Sequence, residues 1–242
     1  RSINNPEEFW AEQAARFCWF KKWDQVRSYN YDVTQGDIKI EWFKGGQCNI
    51  TSNCLDRHLE TKGEQIAILW EGNEPGESKI LTYNELHIEV CKFANVLKNY
   101  GVKKGDRVSI YMPMVVELAV AMLACARLGV VHSQVFGGFS GEACGDRIVD
   151  SESRILITSD AYYRGGKLLN HQVKADIAVQ QAKGQGTEVD KVLIWRRYPG
   201  KVSSDAKMTD GRDFYVDELL KAKKGVRVEP ESMPADSPLF LM

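Results

Sequence analysis

Two glycine turns that carry aromatic and basic side chains are the residues of this sequence best suited to chemistry. One is Phe136-Gly137-Gly138 and the other is Arg164-Gly165-Gly166-Lys167. Glycine lets a ligand approach the backbone closely, and arginine and lysine offer positive charge to a phosphate. The pattern therefore fits a site for a phosphorylated ligand. The alternative is a pair of ordinary solvated turns, because neither turn matches the fingerprint of a dinucleotide site or of a nucleotide P-loop.

The segment Val131–Lys167 contains both turns and the elements that must position them. Its pattern predicts a strand over Val130–Phe136, a helix that opens at Ser140, and a second strand over Arg154–Thr158. A strand, a crossover helix and a parallel strand form a right-handed unit, so both strands end at the same edge of the sheet. Open α/β sheets usually receive ligands at that edge. We therefore expect the tips after the two neighbouring strands to converge there.

The remaining sequence alternates apolar strands with amphipathic helices, which predicts an α/β fold with a largely parallel sheet covered by helices. The clearest helix opens with the capping box Thr82-Tyr83-Asn84-Glu85 and ends at Gly101. Further helices are predicted over Asn5–Phe20, Leu55–Lys62, Pro113–Leu128, His171–Gln181 (with Lys174 outward) and Phe214–Lys221, and further strands over Asp37–Phe43, Gln65–Trp70, Arg107–Met112 and Lys191–Trp195. Lys221–Lys224 is expected to be a solvated helix end.

The distribution of aromatic residues predicts two parts. Residues 1–75 form an aromatic-rich leading segment packed on the body, and residues 76–242 form the first α/β subdomain. The last residues, Leu239–Met242, are the apolar onset of a strand. Because domains seldom end inside a buried strand, we expect this chain to be a piece of a longer protein.

Composition excludes several classes of function. The 32 basic and 33 acidic residues nearly cancel, which argues against nucleic acid or a membrane surface as a partner. The longest apolar run, Leu118–Ala126, is too short to cross a bilayer. Six cysteines lack the spacing of a zinc site, so we expect no metal ligands and a reducing compartment. The expected localisation is intracellular and soluble, in the cytoplasm or, since the chain begins with Arg1, in an organelle after processing.

Several longer motifs occur in a characteristic order along the chain. They are Trp42-Phe43, Asn53-Cys54-Leu55-Asp56-Arg57-His58, Leu81-Thr82-Tyr83-Asn84-Glu85-Leu86, Gly105-Asp106-Arg107-Val108, Tyr111-Met112-Pro113-Met114, Glu117-Leu118, Ala121-Met122-Leu123-Ala124-Cys125-Ala126-Arg127 and His132-Ser133-Gln134-Val135-Phe136-Gly137-Gly138-Phe139-Ser140. Their types and order resemble the acetyl-coenzyme A synthetases, a family within the adenylate-forming superfamily of acyl- and aryl-coenzyme A ligases, luciferases and nonribosomal adenylation domains. The resemblance covers nearly the whole chain.

The resemblance implies a ligase that works in two half-reactions. Acetate and magnesium-bound ATP give acetyl-adenylate and pyrophosphate, and coenzyme A then gives acetyl-coenzyme A and AMP. The family also has a mobile C-terminal domain that rotates between the half-reactions. The partners implied are therefore the small molecules acetate, ATP and coenzyme A, together with the remainder of the same chain.

The resemblance also assigns the two turns to coenzyme A. Arg164, Gly165, Gly166 and Lys167 match the basic turn that receives its 3′-phospho-ADP end, and Phe136, Gly137 and Gly138 match a platform for its adenine. Arg164 would bond a phosphate through its fork, whereas Lys167 would act as a point charge. Many relatives carry a second arginine where Lys167 stands.

The catalytic parts of the family are expected outside these 242 positions. The Ser/Thr/Gly-rich phosphate loop, the acetate-pocket tryptophan, the ribose-binding aspartate, the hinge and the C-terminal adenylation lysine all follow the strand at Leu239–Met242. No catalytic residue is therefore assigned here, and the chain alone is expected to be inactive. Two alternatives stay open: a ligase for propionate or another short-chain acid, and a non-catalytic module that binds coenzyme A or a partner protein.

Overall fold

The computed structural model describes residues 1–73, 75–201, 207–221 and 227–242. Its centre is a six-stranded sheet in the order β12-β11-β8-β6-β7-β14, and every adjacent pair of strands in it is parallel. The strands are β6 (Arg107–Met112), β7 (Val131–Phe136), β8 (Ile155–Ser159), β11 (Lys191–Trp195), β12 (Asp213–Tyr215) and β14 (Phe240–Leu241). The predicted α/β fold with a largely parallel sheet is confirmed.

Helices cover both faces of this sheet, as its apolar strands require. On one face, the helices α4 and α5 pack with α8, and on the other α6 packs with α7. The described helices are α1 (Pro6–Ala14), α2 (Ile50–Cys54), α3 (Leu59–Lys62), α4 (Tyr83–Asn99), α5 (Val116–Arg127), α6 (Gly141–Ser151), α7 (His171–Gly184) and α8 (Val216–Lys221).

Short antiparallel pairs of strands flank the main sheet. They are β1 (Gln25–Asn30) with β2 (Lys39–Lys44), β3 (Gln47–Cys48) with β13 (Met233–Pro234), β4 (Ile66–Glu71) with β5 (Ser78–Thr82), and β9 (Ala161–Arg164) with β10 (Lys167–Asn170). The sequence pattern predicts β2 and β4 but misses their partners. In β1 and β5 polar residues fill most positions, so neither strand shows the apolar signal of a core strand.

Capping chemistry explains where α4 and α6 begin. Thr82 accepts a hydrogen bond from the Glu85 amide, and the Glu85 side chain accepts one from the Thr82 amide, which completes the predicted capping box. Ser140 likewise accepts from the amide of Ala143 at the start of α6. Gly101 follows α4 with φ of +80°, a conformation that glycine adopts without strain.

The first helix is shorter than predicted. It ends at Ala14 rather than at Phe20 because tertiary partners take the backbone groups that a longer helix would use. The indole of Trp19 donates to the Ala14 carbonyl at 2.9 Å, and the Asn53 side chain bonds both the amide and the carbonyl of Cys18, at 2.7 and 3.0 Å. The aromatic residues that follow Ala14 therefore lie in an irregular segment.

Three other predicted helices are split or begin later than predicted. The helix predicted over Leu55–Lys62 is split into α2, one 3₁₀ turn at Asp56–His58, and α3. Helix α5 begins at Val116 rather than Pro113, because the preceding residues carry the chain away from the sheet edge and the Met114 carbonyl accepts from the Trp70 indole at 2.8 Å. The helix predicted over Phe214–Lys221 begins at Val216, since the residues before it pair as β12.

Two further expectations concern the basic run at Lys221–Lys224 and the ability of a helix to span a membrane. Of the basic run Lys221–Lys224, all but Lys221 lies outside the described residues. In the described part of the chain, no helix has the combination of length and apolar character needed to span a bilayer.

Candidate functional site

The carboxyl edge of the parallel sheet brings the two glycine turns together. Strand β7 ends at Phe136 and β8 ends at Ser159, but β6 lies between them, so the two strands are not neighbours as expected. A right-handed crossover that skips one strand position produces this order. The β9–β10 hairpin follows β8 and carries Arg164 back toward the turn after β7. The hairpin, which the sequence pattern does not predict, therefore restores the convergence.

Glycine sets the shape of the hairpin tip. Gly165 and Gly166 join Arg164 to Lys167 with φ of +57° and +74°, which is the two-residue turn with positive φ that hairpins prefer. The register pairs Arg164 directly with Lys167. Like charges placed opposite each other destabilise a strand pair. A bound anion would relieve that repulsion.

The guanidinium of Arg164 lies against the turn after β7, which we call the FGGF turn (Phe136–Phe139). Its Nη1 donates to the Gly138 carbonyl at 3.2 Å, and its Cζ lies 5.6 Å from the centre of the Phe136 ring. The Phe136 side chain is 52% exposed, so part of its ring can still receive a ligand. Lys167 is also exposed.

Close packing explains the two glycines of the FGGF turn. A Cβ on Gly138 would come within 2.0 Å of Arg164 Nη1 and 2.5 Å of the Phe136 ring. A Cβ on Gly137 would lie 2.8 Å from the Met112 carbonyl oxygen, which belongs to the backbone of β6. Gly138 therefore makes room for a side chain, whereas Gly137 makes room for the sheet itself.

The carbonyl groups of the FGGF turn are held from beneath. The Tyr162 hydroxyl donates to the Gly137 carbonyl at 2.8 Å, and the Tyr111 hydroxyl donates to the Phe139 carbonyl at 2.6 Å. Lys174 Nζ lies 3.4 Å from both the Phe139 carbonyl and the Tyr162 hydroxyl. The expectation that Lys174 points outward is wrong, because α7 is oriented by the hairpin and presents this residue to the turn.

A buried histidine supports these two tyrosines. The His171 ring lies 4.2 Å from the Tyr111 ring and 5.0 Å from the Tyr162 ring, and its Nδ1 is 3.0 Å from the Ser159 hydroxyl. Burial lowers the pKa of His171 to about 3, and burial also raises the pKa of Tyr111. His171 and Tyr111 are therefore uncharged at neutral pH and have a structural role.

A cleft of about 310 Å³ continues from the FGGF turn toward the loops after β4 and β11. Its far end is aromatic: Arg197 stacks near Trp70 and Tyr198, with its Cζ 5.6 and 5.1 Å from their ring centres, and pairs with Glu77 at 3.3 Å. The carboxylate of buried Asp160 accepts from the backbone amides of Arg197 and Tyr198 at 2.8 and 2.9 Å and so fixes this loop. Sequence reasoning missed these residues, although Arg197 and Tyr198 follow a predicted parallel strand.

Charge distinguishes this edge of the sheet. Arg147, Arg164 and Lys174 contact the FGGF turn, and Lys167 lies opposite Arg164 in the hairpin. Within the described ranges, none of these four basic residues lies within 4.0 Å of a carboxylate. Arg147 stacks over the Phe139 ring, with its Cζ 4.7 Å from the ring centre. Unpaired cations on a surface with accessible backbone favour an anionic ligand.

The opposite edge of the sheet has a cleft of similar size but different electrostatics. That cleft, about 320 Å³, is lined by Arg107 and Arg154. Both are neutralised, since Arg107 pairs with Glu152 at 2.6 Å and Arg154 with Asp190 at 2.7 Å. The FGGF turn is therefore the better candidate for an anion site. In the part of the chain that the structure describes, no three His, Cys, Asp or Glu side chains converge as metal ligands would.

Comparison with known proteins identifies the family. The family model described as AMP-binding enzyme matches residues 55–242, and the model described as acetyl-coenzyme A synthetase N-terminus matches residues 1–54. Acetyl-coenzyme A synthetases from Syntrophus aciditrophicus and Bartonella quintana are 49% and 48% identical to this chain over 242 residues. The chain spans 36% of the length of each of these relatives.

A solved structure supports the same fold. Acetoacetyl-CoA synthetase from Streptomyces lividans superposes with a TM-score of 0.83 over 99% of this chain and 34% of its own, at 24% identity. At that identity the likeness concerns the fold alone. The family match over most of the sequence goes further, and by it this chain belongs to the AMP-binding enzyme family.

Proposed function

We propose that this chain is part of an acetate–coenzyme A ligase that forms acetyl-coenzyme A, AMP and pyrophosphate from acetate, ATP and coenzyme A through acetyl-adenylate. The support is the match of residues 1–54 to the acetyl-coenzyme A synthetase N-terminus and the names of relatives that are nearly half identical. On this proposal the protein is an intracellular enzyme, and residues 1–75 are a leading segment packed on the first α/β subdomain.

The part of the reaction that we assign to this chain is capture of coenzyme A. The observation that carries the proposal is the contact of the Arg164 guanidinium with the Gly138 carbonyl and the Phe136 ring. It lies among four basic residues that have no carboxylate partner within the described part of the chain. A guanidinium has five N–H donors, so the bond to Gly138 leaves others free to bind a phosphate. The exposed face of Phe136 would pack against the adenine.

Coenzyme A has a 3′-phosphate at the adenosine end and a diphosphate beyond it, so a basic surface beside an aromatic ring suits this ligand. Arg164 would bind the 3′-phosphate through its fork, and Lys167 would add charge from the other side of the hairpin. Adenylation supplies a good leaving group, and the thiol of the captured coenzyme A then accepts the acetyl group. We assign no described residue to magnesium or to ATP.

The test is Arg164→Ala in the full-length enzyme. Loss of a charged hydrogen bond costs about 1.5–3 kcal/mol, so we expect the KM for coenzyme A to rise roughly 10- to 150-fold. Acetate-dependent exchange of pyrophosphate into ATP should not change, because it precedes coenzyme A binding. With dephospho-coenzyme A as substrate, the variant and the wild type should differ little, since the group that Arg164 binds is missing.

Arg154→Ala is the matched control, because it removes an exposed arginine from the opposite edge of the sheet. It should leave the KM for coenzyme A unchanged. Lys167→Ala should have a smaller effect than Arg164→Ala, since solvent screens a mobile point charge. An unchanged KM for coenzyme A in Arg164→Ala would refute the assigned site. Preference of the full-length enzyme for propionate over acetate would instead correct the acid and leave the site in place.

A further inference from the structure

The donors that hold the FGGF turn come from elements far apart in the sequence. Three successive carbonyls of the turn, those of Gly137, Gly138 and Phe139, accept hydrogen bonds from Tyr162, Arg164 and Tyr111 respectively. Tyr162 and Arg164 lie two residues apart on β9, so one short strand supplies both a buried and an exposed contact to the turn. The position of the turn is therefore tied to the position of the hairpin.

These bonds also change the electrostatics of the turn. A carbonyl oxygen carries partial negative charge and would repel a phosphate placed over the turn. Tyr162 and Lys174 offset that charge from below: the Tyr162 hydroxyl donates to Gly137, and Lys174 Nζ lies 3.4 Å from both that hydroxyl and the Phe139 carbonyl, and 5.7 Å from the centre of the Tyr162 ring. Hydrogen bonds linked in such a network strengthen one another.

We infer that Tyr162 is a positioning residue for coenzyme A. It acts through the Gly137 carbonyl and does not touch the ligand. This inference rests on the proposed function of the FGGF turn. The Tyr162 side chain is 5% exposed, and its ring packs edge-on against His171 at 5.0 Å. Its hydroxyl is therefore held toward the turn. Loss of the hydroxyl leaves the ring in place, but it leaves the Gly137 carbonyl and Lys174 without a shared partner.

Tyr162→Phe in the full-length enzyme tests the inference. Removal of one neutral hydrogen bond that shapes the turn should raise the KM for coenzyme A about 3- to 10-fold. The kcat at saturating coenzyme A and the acetate-dependent pyrophosphate exchange should stay within about twofold of wild type. A role in stability alone would not produce this split. Tyr100→Phe is the matched control, because Tyr100 lies at the opposite edge of the sheet and packs against Phe214.

Lys174→Met supplies a second, independent variant. This variant keeps an unbranched apolar stem and removes the charge, so it should also raise the KM for coenzyme A. Because Tyr162 and Lys174 share one hydrogen-bond network, the effects of Lys174→Met and Tyr162→Phe should not add in the double variant. If Arg164→Ala raises the KM but Tyr162→Phe and Lys174→Met do not, Tyr162 has no positioning role while the proposed site stands. If Arg164→Ala also has no effect, the proposed site itself is wrong.

Discussion

The carboxylate of Asp56 and the guanidinium of Arg127 meet in a two-pronged pair, with Nη1–Oδ2 and Nη2–Oδ1 both at 2.7 Å, although the Arg127 side chain is fully buried. The remaining Nε of Arg127 donates to the Val228 carbonyl. Asn49 adds bonds from its amide to the carbonyls of Ala126 and Glu231, at 3.0 and 2.8 Å. Residues 49–56 and 228–231, which are distant from each other in sequence, are thus hydrogen-bonded to each other and to the C-terminal end of α5.

We predict that Arg127→Met destabilises the protein by about 3–5 kcal/mol, because the largely buried Asp56 carboxylate loses its two-pronged partner and keeps the longer contact with His87. The double variant Asp56→Asn/Arg127→Met should recover part of that loss, since it also removes the carboxylate charge that has lost this partner. Urea unfolding followed by tryptophan fluorescence measures both. Arg154→Ala, which breaks an exposed pair, should cost less than about 1 kcal/mol. Equal losses in the buried and the exposed variant would contradict this prediction.

His87 should make stability depend on pH. Its Nε2 lies 3.5 Å from Asp56 and 3.6 Å from the Cys91 sulfur, and bonding to Asp56 is the main cause that raises its pKa from near 6.5 to about 9. A pKa raised by folding contributes stability that is complete below pH 6.5 and is lost as pH rises through 9. Burial is the largest single influence on the Cys91 thiol and acts to raise its pKa. The pKa is nevertheless lowered overall, and bonding to His87 is the main cause that lowers it. Ionisation of Cys91 therefore restores part of that stability in the same range.

The measurement is the difference in urea unfolding free energy between wild type and His87→Gln from pH 6 to pH 9.5. We expect wild type to lose stability over this range by roughly 2–3 kcal/mol more than the variant does. Phe93, which lies in the same helix and is fully buried in the apolar core, offers a control that does not titrate: Phe93→Leu should lower stability equally at every pH. Parallel pH profiles for wild type and His87→Gln would show that His87 is not coupled to Asp56.

The two glycines of the FGGF turn should respond differently to alanine. In Gly138→Ala the new methyl group would displace Arg164 and the Phe136 ring, both of them side chains that can move. The KM for coenzyme A should therefore rise by roughly tenfold with little change in melting temperature. In Gly137→Ala the methyl group meets the β6 backbone, so the protein itself should lose about 1–3 kcal/mol. Thermal melts and coenzyme A titrations of both variants separate the two outcomes; identical behaviour would contradict the packing argument.

Sequence periodicity alone predicts the elements whose bounds depend on contacts within the element. Strands β6 and β11 occur where the apolar runs predict them, and α4 begins at its capping box, because period and cap chemistry act within one element. Periodicity fails where tertiary contacts decide. The end of α1 depends on Asn53, and the split of α2 from α3 depends on the placement of Asp56 against Arg127, so no window of local sequence contains the deciding partner.

The candidate site shows the same division. The turn residues Phe136, Gly137, Gly138, Arg164, Gly165, Gly166 and Lys167 follow from glycine and charge spacing. The residues that support them do not follow from it: Tyr111 lies inside a predicted strand, Tyr162 lies in a hairpin that the sequence pattern does not predict, and Lys174 has the spacing of an exposed helix position. Only the crossover past β6 and the extra β9–β10 hairpin bring these side chains under one turn. Local sequence patterns do not give the order of the strands in the sheet, so they cannot predict this long-range arrangement.

The chain of residues 1–242 alone should form no acetyl-adenylate. The resemblance to acetyl-coenzyme A synthetases implies that the loop for the ATP phosphates follows residue 242, and preorganised donors for the phosphates are the main source of stabilisation in such a reaction. Acetate-dependent exchange of labelled pyrophosphate into ATP is the assay, with the full-length enzyme as the positive control. A cooperative urea transition of the isolated chain must accompany it, so that an inactive result reports on missing residues and not on misfolding. Exchange at a rate comparable to that of the full-length enzyme would place the adenylation residues within this chain and overturn the assignment.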